Sequence, residues 1–215
     1  MILYIPVEVK NRELDAKILL ASVAIERGIK VVIGKKNDLN NFIRFMPRGA
    51  YYGIGVFQNF KNFYSKLKKR KFSIFVCEEE GLITYKQDMY IDMRFSLETL
   101  KFVDRVYTWG QHNKNIISRK FPSSKSKFKV TGNPRFDILN NDLDDFYNEE
   151  ILYIRNKYQK FFLVCTSFSS VNHFNLNINY INTLIEKKTL RNENSKKNSL
   201  NINILNIRHL ILISN

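Results

Sequence analysis

Short apolar runs that alternate with segments of helical periodicity constrain the fold of this chain most. Ile2–Val7 is almost wholly apolar and too short for a stable helix, which is typical of a strand buried on both faces of a parallel sheet. Residues 14–27 then place Leu14, Ile18, Ala21 and Ile25 at three- and four-residue steps, and Gly28 is suited to end a helix. Residues 30–34 form a second apolar run, so the sequence predicts a right-handed βαβ unit.

The same alternation continues along the chain. Further strands are predicted within 46–55 and at 73–77, 105–110 and 127–131, and helices at 37–44, 58–71, 96–102 and 111–120. The pattern predicts an α/β protein with a Rossmann-like parallel sheet and helices on both faces. The dinucleotide fingerprint G-x-G-x-x-G is missing from the sequence.

A turn at residues 131–134 separates this α/β pattern from a second one. Gly132 permits backbone angles closed to other residues and Pro134 fixes its own φ, so the turn is either a hinge between domains or an ordinary strand-to-helix turn. The hinge interpretation predicts an N-terminal domain over 1–139 and the start of a second α/β domain over 140–174. That start comprises a charged helix at 145–158 and a buried strand at 160–166.

The remaining residues, 175–215, are rich in asparagine and contain neither glycine nor proline. A second α/β domain needs several more strands than this segment offers. We therefore expect that the second domain is cut short or that the tail is out of frame.

The chain carries a formal net charge of +15 and a pI of about 9.7, which favours an anionic partner. The densest run of cations, residues 66–71, is explained either as a lipid- or phosphate-binding segment or as a solvated helix end. A recognised nucleic-acid motif is lacking, which makes nucleic acid an improbable partner.

Cysteine and hydropathy patterns indicate the compartment. Cys77 and Cys165 lie in apolar runs and are expected to be buried free thiols in a reducing environment. No apolar run reaches the roughly 20 residues that cross a bilayer. The three histidines show no metal-site spacing, so no metal is predicted. We expect a cytoplasmic protein, with peripheral contact to the inner membrane face as a further expectation.

Polar loops follow the predicted strands, where open parallel sheets bind their ligands. These loops are residues 8–13, 78–81, 109–113 and 132–135, with a fifth at 166–173 in the second domain. Their coincidence at the carboxyl ends of strands predicts a site that includes Glu8, Lys10, Arg12, Gly81, Trp109, His112, Asn133 and Arg135 as substrate-binding candidates.

Three adjacent carboxylates occupy the loop after the third clear strand. Partial burial would raise the pKa of at least one of Glu78, Glu79 and Glu80, which suits general acid or base chemistry. Glu79 and Glu80 are the catalytic candidates. The alternative is a solvated turn that keeps like charges in water.

Other candidates carry equally open alternatives. Arg12 and Arg135 offer bidentate forks to phosphate or carboxylate, or else pair with Glu8, Glu13 or Asp137. His112 is a catalyst or simply a packed or surface histidine. In the loop of the second domain, a phosphate cradle of Thr166, Ser167, Ser169, Ser170 and Asn172 competes with a plain serine helix cap.

Four stretches in order resemble bacterial surface carbohydrate biosynthesis proteins, a family similar to glycosyltransferases of the two-Rossmann-domain GT-B architecture. They are VEVKNRELDAKILLASVAIERGIKVVIG, CEEEGLIT, DRVYTWGQHN and VTGNPRFDIL. The Thr-Gly-Asn turn is more distantly similar to UDP-N-acetylglucosamine 2-epimerases. The resemblance covers about residues 1–174.

The resemblance implies roles for these stretches. Glu79, Glu80 and Gly81 would face an interdomain cleft, and Gly132, Asn133 and Arg135 would form the crossover. SFSSVNHF would be the first loop of the nucleotide-sugar domain, but the family's donor-binding residues cannot be carried over to this chain. The donor-phosphate candidates Thr166, Ser167, Ser169 and Asn172 therefore depend on the chemistry of the loop alone. The implied partners are a nucleotide sugar and a glycan or lipid-linked acceptor, and no redox cofactor is needed.

The departure from the family lies after residue 175, where most of a donor-binding domain is missing. Four hypotheses therefore stay open. They are a sugar transferase of surface polysaccharide or lipopolysaccharide synthesis, a nucleotide-sugar 2-epimerase, a non-catalytic basic module that binds anionic membrane or nucleic acid, and a truncated inactive remnant.

Overall fold

A computed structural model describes residues 1–81 and 86–163 of the chain. Six parallel strands form one sheet in the order β2-β1-β3-β4-β5-β6. The strands are β1 Ile2–Val7, β2 Lys30–Lys35, β3 Ala50–Gly53, β4 Ser73–Cys77, β5 Arg105–Thr108 and β6 Phe128–Val130. Each of the predicted strands up to residue 131 is confirmed, with ends that differ by at most two residues where they were predicted separately.

Helices connect the strands. They are α1 Lys10–Glu26, α2 Lys36–Phe42, α3 Lys61–Lys69, α4 Gln87–Arg94, α5 Leu97–Leu100, α6 Gln111–Lys120, α7 Pro134–Asp137 and α8 Asn148–Tyr158. Short 3₁₀ segments lie at Ile43–Phe45, Gln58–Phe60, Pro122–Lys127 and Asn141–Tyr147. The prediction for α6 is confirmed at both ends, whereas α4 was not predicted at all.

The inner strands of the sheet are buried on both faces, as their continuous apolar runs predicted, whereas the edge strands β2 and β6 are partly exposed. Alternate residues of β1 and β3 point to opposite sides: Tyr4 and Tyr51 join the larger core, while Ile5 and Tyr52 join the smaller one. The larger core is completed by side chains of α2 to α6, and the smaller by α1. The α/β fold with a Rossmann-like parallel sheet and helices on both faces is therefore confirmed.

The strand order reverses beside β1. From β1 the chain moves to the edge strand β2 and then crosses back to β3 on the other side of β1. Such a switch point opens a crevice outside the carboxyl ends of the strands, where doubly wound sheets bind ligands. The polar loops after β1, β4, β5 and β6 all lie at this edge.

Helix α1 differs from its prediction in two respects. It begins at Lys10, so residues 10–13 are helical and were wrongly predicted as loop. The predicted apolar face is also wrong at Ile18 and Ile25, which are 42% and 60% exposed. The buried face instead consists of Glu13, Ala16, Lys17, Ala21 and Ala24. The alanines let the helix lie close to the sheet, and the two charged residues belong to a polar network described below.

The turn after β6 is built by its own side chains. Gly132 has φ +83°, in the left-handed region that favours glycine. The Asn133 side chain accepts a hydrogen bond from the Arg135 N–H at 3.0 Å, and Pro134 occupies the first turn of α7. The turn thus joins a strand to a short helix that packs on α1. Hinge motion at this turn stays a prediction.

The chain divides into two compact units, Met1–Ile151 and Leu152–Asn215. Of the second unit, residues 152–163 are described, and they contain the rest of α8 followed by an irregular segment. Phe161, Phe162 and Leu163 are exposed and lack regular secondary structure, so the buried strand predicted at 160–166 is wrong for these residues. No strand within residues 1–81 or 86–163 pairs with this apolar run, and an unpaired strand is not stable. Residues 164–166 lie outside the described part.

The structure also bears on the predictions for the cysteines and for membrane-spanning segments. Cys77 is a buried free thiol, as predicted, and its burial raises its pKa to about 12. Cys165 lies outside the described residues. No helix in residues 1–81 and 86–163 is both long and apolar enough to cross a membrane.

Candidate functional site

Buried polar side chains collect at the carboxyl edge of the sheet. Glu13, Lys17, Glu78, Glu79, Asn113 and Asn133 are all at most 6% exposed. Charged groups of this kind are rarely buried unless they are paired. Their clustering at the edge where a doubly wound sheet binds ligands marks this region as the candidate site.

Lys17 stands at the centre of the cluster. Its ammonium group donates hydrogen bonds to the Pro6 carbonyl at 2.7 Å and to Glu13 Oε2 at 2.6 Å. The same nitrogen lies 3.6 Å from Glu79 Oε1. Lys17 therefore ties α1 to the ends of β1 and β4 with a buried cation.

Glu13 is held ionised by its donors. Its carboxylate accepts backbone N–H groups of Glu8 and Val9, at 3.0 and 3.3 Å, and the Arg12 guanidinium at 2.7 Å. Burial alone would raise the pKa of Glu13, but the hydrogen bonds from Lys17, the Glu8 amide and Arg12 outweigh it and lower the pKa to about 2. A carboxylate this firmly ionised is a structural anion and a poor proton acceptor.

Glu78 is likewise fully engaged. Its carboxylate pairs with Arg94 and accepts hydrogen bonds from the Tyr90 hydroxyl at 3.0 Å and the Glu80 amide at 3.1 Å. Burial, with Glu78 close by, holds the pKa of Tyr90 above its usual range. Glu78 thus anchors α4 to the end of β4.

Glu79 differs from its neighbours because its charge is less well compensated. Burial raises its pKa, Glu13 raises it further, and Lys17 and Arg135 only partly oppose this. The Arg135 guanidinium lies 3.6 Å from Glu79 Oε2 and donates to the Glu79 carbonyl at 3.0 Å. The sequence-based prediction that burial perturbs one of the three carboxylates holds for Glu79.

Glu80 faces solvent, with 56% of its side chain exposed. It lies 3.3 Å from Arg94 and 3.7 Å from Arg12, and so bridges α4 and α1 across the rim of the site. The alternative of a solvated turn therefore applies to Glu80 rather than to the three carboxylates together.

The Trp109 ring packs against the 78–81 loop at one side of the candidate site. Its indole N–H donates to the Glu78 carbonyl at 2.5 Å, and the Arg135 guanidinium lies 5.5 Å from the ring centre in a cation–π contact. Gly81 lies against this ring: a Cβ there would come within 2.5 Å of the indole. Asn133 donates to the same Glu78 carbonyl at 3.5 Å. The 78–81 loop, Trp109 and the turn after β6 are thus one packed assembly.

The structure brings most of the predicted site residues together. Glu79, Glu80, Gly81, Arg12, Trp109, Asn133 and Arg135 form this assembly, and Glu8 joins it through Arg12 at 3.7 Å. Arg12 and Arg135 pair with carboxylates of the site, as their alternative interpretation expected, although Arg135 pairs with Glu79 rather than Asp137.

The other predicted residues lie outside this assembly, and Glu8 also borders a second cavity. Lys10 and Glu8 line a separate cavity of about 410 Å³ with Val7, Leu14 and Ile33, between the ends of β1 and β2. His112 is exposed in the first turn of α6. Thr166, Ser167, Ser169, Ser170 and Asn172 lie outside the described residues.

The charges of the cluster balance. Five carboxylates, Glu8, Glu13, Glu78, Glu79 and Glu80, face five cations, Arg12, Lys17, Lys36, Arg94 and Arg135. The cavity bounded by Lys17, Glu79 and Arg135 is only about 10 Å³, near the lower limit for one water molecule. The cluster therefore contains one carboxyl with a raised pKa, that of Glu79, and no surplus positive charge for a diphosphate. Among residues 1–81 and 86–163, no group of three or more His, Cys, Asp or Glu is placed to hold a metal ion.

Sequence reasoning missed Lys17 and Arg94. Glu13 and Lys17 stand four residues apart, the spacing of a helical ion pair, but the same spacing is common on solvated helix surfaces. Arg94 lies on α4, whose weak apolar periodicity gave no helix signal. Only the fold shows that both cations reach the carboxyl ends of β1 and β4.

Comparisons with models of known protein families, with curated proteins and with solved structures gave no match to this chain.

Proposed function

We propose that this chain is a glycosyltransferase-like protein of surface polysaccharide or lipopolysaccharide synthesis that moves a sugar from a nucleotide-activated donor to a glycan or lipid-linked acceptor. The observation that supports it most is Glu79, a buried carboxyl with a raised pKa at the carboxyl edge of a doubly wound sheet. The resemblance of four ordered stretches to surface carbohydrate biosynthesis proteins supplies the reaction class.

The proposed chemistry is proton removal coupled to glycosyl transfer. As the acceptor oxygen bonds to the anomeric carbon, the bond from that carbon to the nucleotide diphosphate breaks and the acceptor hydroxyl loses its proton. Glu79 takes this proton through the single water that its small cavity can hold, since a raised pKa makes a carboxylate a better base. Glu80, exposed at the rim, adds negative charge beside the developing oxocarbenium ion.

The balanced cluster fits an acceptor-side role. It has no uncompensated cation for the donor diphosphate, which would be held by the residues proposed for that role at Thr166, Ser167, Ser169 and Asn172. The Arg135 guanidinium, which covers one face of the Trp109 ring, would donate to sugar hydroxyls, and the other face of the ring would pack on the sugar. Neither a metal nor a redox cofactor is needed for this chemistry. The protein would work in the cytoplasm, in peripheral contact with the inner membrane face.

Nucleotide release from a panel of nucleotide sugars, with and without candidate glycan acceptors, tests the proposal. The full chain should release nucleotide, and Glu79→Gln should lower turnover by about 10²-fold or more, the usual contribution of a positioned base. Glu98→Gln, which alters an exposed carboxylate on α5, is the matched control. Equal rates in wild type, Glu79→Gln and Glu80→Gln would remove both carboxylates from the mechanism. Turnover of the donor alone to an epimer would favour the epimerase alternative instead.

A further inference from the structure

Exposed aromatic rings and cations lie together at the amino edge of the sheet, which is the edge opposite to the candidate site. Helices α2 and α3 each run from the carboxyl end of one strand to the amino end of the next, and their last turns lie beside β3 and β4 where those strands begin. We call the patch formed by Phe42, Arg44, Phe45, Lys66, Lys69 and Arg70 the amino-end surface.

Two large apolar side chains of this surface are exposed to solvent. Phe42, the last residue of α2, is 59% exposed, and Phe45, at the end of the following 3₁₀ segment, is 73% exposed, whereas Leu39 of α2 is buried. They border a cavity of about 550 Å³ that also contacts Phe63 and Leu67. An exposed apolar patch rimmed by polar groups marks an interaction surface.

The surrounding charge has one sign. The stretches 39–48 and 62–71 contain seven lysines and arginines and no aspartate or glutamate: Arg44, Arg48, Lys66, Lys68, Lys69, Arg70 and Lys71. Lys68 is paired with Asp104. Lys66, Lys69 and Arg44 are exposed. The balanced cluster at the carboxyl edge and this cationic surface thus lie at opposite edges of one sheet.

The backbone under the surface is fixed. Arg70 donates to the carbonyls of Ile43 and Met46, at 2.6 and 2.7 Å, and so fastens the end of α3 to the 3₁₀ segment that carries Phe45. The aromatic residues are therefore presented on a braced segment, which lowers the entropy lost on binding.

We propose that the amino-end surface binds an anionic phospholipid membrane, with Phe42 and Phe45 entering the interfacial layer and Arg44, Lys66 and Lys69 contacting lipid phosphates. Aromatic and aliphatic groups flanked by lysine and arginine are the composition that holds peripheral proteins at such interfaces. The inference deepens the membrane location proposed above and is independent of sugar transfer. The carboxyl edge and its site would then face away from the bilayer.

RNA fits this surface less well. Binding of unpaired bases needs open ring faces, and one face of Phe45 is already covered by the Arg44 guanidinium at 4.6 Å from the ring centre. Two of the donors of Arg70 are spent on backbone carbonyls, which leaves lysine ammonium groups on flexible stems as the main cations. Flexible lysine side chains can follow the phosphates of a lipid headgroup layer, but they lack the fixed geometry that is needed to recognise base edges.

Vesicle sedimentation of the full chain tests the proposal. We expect binding to phosphatidylcholine vesicles that contain about one-third phosphatidylglycerol, weak binding to pure phosphatidylcholine, and release at about 1 M salt, where screening acts over about 3 Å. Lys66→Glu with Lys69→Glu should weaken binding at least about 25-fold, from about fivefold for each cation removed. Phe42→Ser with Phe45→Ser should weaken it about tenfold or more.

Matched controls carry the same changes on other surfaces. Lys35→Glu with Lys86→Glu, at the end of β2 and just before α4, makes the same change in net charge at the carboxyl edge, and Met89→Ser removes an apolar side chain that is 53% exposed in the first turn of α4. These controls should bind vesicles as wild type does, and circular dichroism melting should show all variants folded. Equal loss in the controls, equal binding to uncharged vesicles, or binding to single-stranded RNA without binding to vesicles would overturn the proposal. Nucleotide release with a water-soluble acceptor needs no vesicle, so the two proposals fail separately.

Discussion

The ammonium group of Lys17 lies 2.6 Å from Glu13 Oε2, one helical turn away on α1, and both side chains are almost completely shielded from water. Each charge has left water for this contact, and each is the main partner of the other. Removing one partner of such a pair strands the other charge in the interior, which is far more harmful than replacing both.

We expect Glu13→Gln and Lys17→Met each to lower the free energy of unfolding at pH 7 by about 3–5 kcal/mol. The double variant should lose clearly less than the sum, because no charge is then left alone. Urea denaturation of the four proteins measures this coupling.

An exposed pair of the same length provides the control. Lys101 Nζ lies 2.6 Å from Glu98 Oε1, but both side chains face solvent. Glu98→Gln and Lys101→Met should leave the urea midpoint almost unchanged. Additive losses for Glu13 and Lys17, of the same size as at the exposed pair, would contradict a buried and coupled pair.

Glu13 and Glu79 should give opposite pH dependence, although Lys17 contacts both. The pKa of Glu13 is lowered to about 2, so its stabilisation is present above the unfolded pKa of about 4.3 and is lost as the pH falls towards 2. The pKa of Glu79 is raised, so its contribution is present below about 4.3 and is lost as the pH rises through the folded pKa.

Unfolding free energies of wild type, Glu13→Gln and Glu79→Gln between about pH 2 and pH 8 check these signs. The deficit of Glu13→Gln should shrink as the pH falls below about 4. The difference between wild type and Glu79→Gln should move in favour of the variant as the pH rises. Parallel curves for the two variants would show that both carboxyls titrate alike.

The sheet could be predicted because each strand has a local signal. β1, β2 and β4 are short apolar runs bounded by polar loops, which favours strands of a parallel sheet. β1 and β4 lie inside the sheet and are mostly buried, whereas β2 is a partly exposed edge strand. Parallel connections then bring every loop after a strand to one edge, which is why Glu79, Trp109 and Arg135 were placed together correctly from order alone.

The buried face of α1 and the cations of the candidate site could not be predicted, because they depend on contacts between segments that are distant in the sequence. The face of α1 is chosen by the narrow space against the sheet and by carboxylates from β4, so Ala16 and Lys17 are buried while Ile25 is not. Periodicity records the side chains of one helix and cannot register Glu79, which lies 62 residues beyond Lys17 in the sequence. Phe161–Leu163 show the converse: they are apolar and exposed, and no strand in the described part of the chain pairs with them.

Gly81 should report on the packing of the site through Trp109, the sole tryptophan. In Gly81→Ala the new Cβ meets the indole at 2.5 Å, so the ring must move and its hydrogen bond to the Glu78 carbonyl must weaken. We expect a red shift of the emission and a loss of about 1–3 kcal/mol of stability, as for other overpacked sites. Gly34→Ala, where a Cβ meets nothing within 4 Å, should change neither. An unchanged emission spectrum in Gly81→Ala would mean that the 78–81 loop does not press on the ring.

Replacing Gly132, in the turn after β6, should lower stability, although a Cβ there meets nothing within 4 Å. Its φ of +83° lies in the left-handed region, which costs other residues about 1–2 kcal/mol. The turn cannot easily relax, because the Gly132 N–H donates to the Thr108 carbonyl at 3.2 Å and Asn133 caps α7 immediately afterwards. Gly132→Ala should therefore lower the free energy of unfolding by about that amount in urea denaturation.

Gly110→Ala is the control that separates backbone strain in the folded protein from lost backbone freedom in the unfolded chain. Gly110 also has open space around its Cβ position, but its φ of −173° is extended backbone that any residue adopts. Gly110→Ala should therefore change stability by less than about 1 kcal/mol, because the restriction that alanine places on the unfolded chain offsets its poorer N-cap at α6. If Gly132→Ala were as stable as Gly110→Ala, the turn would have to reach a negative φ at little cost. A turn with two accessible backbone states is what a hinge at this position requires, so the same pair of variants also tests the hinge prediction.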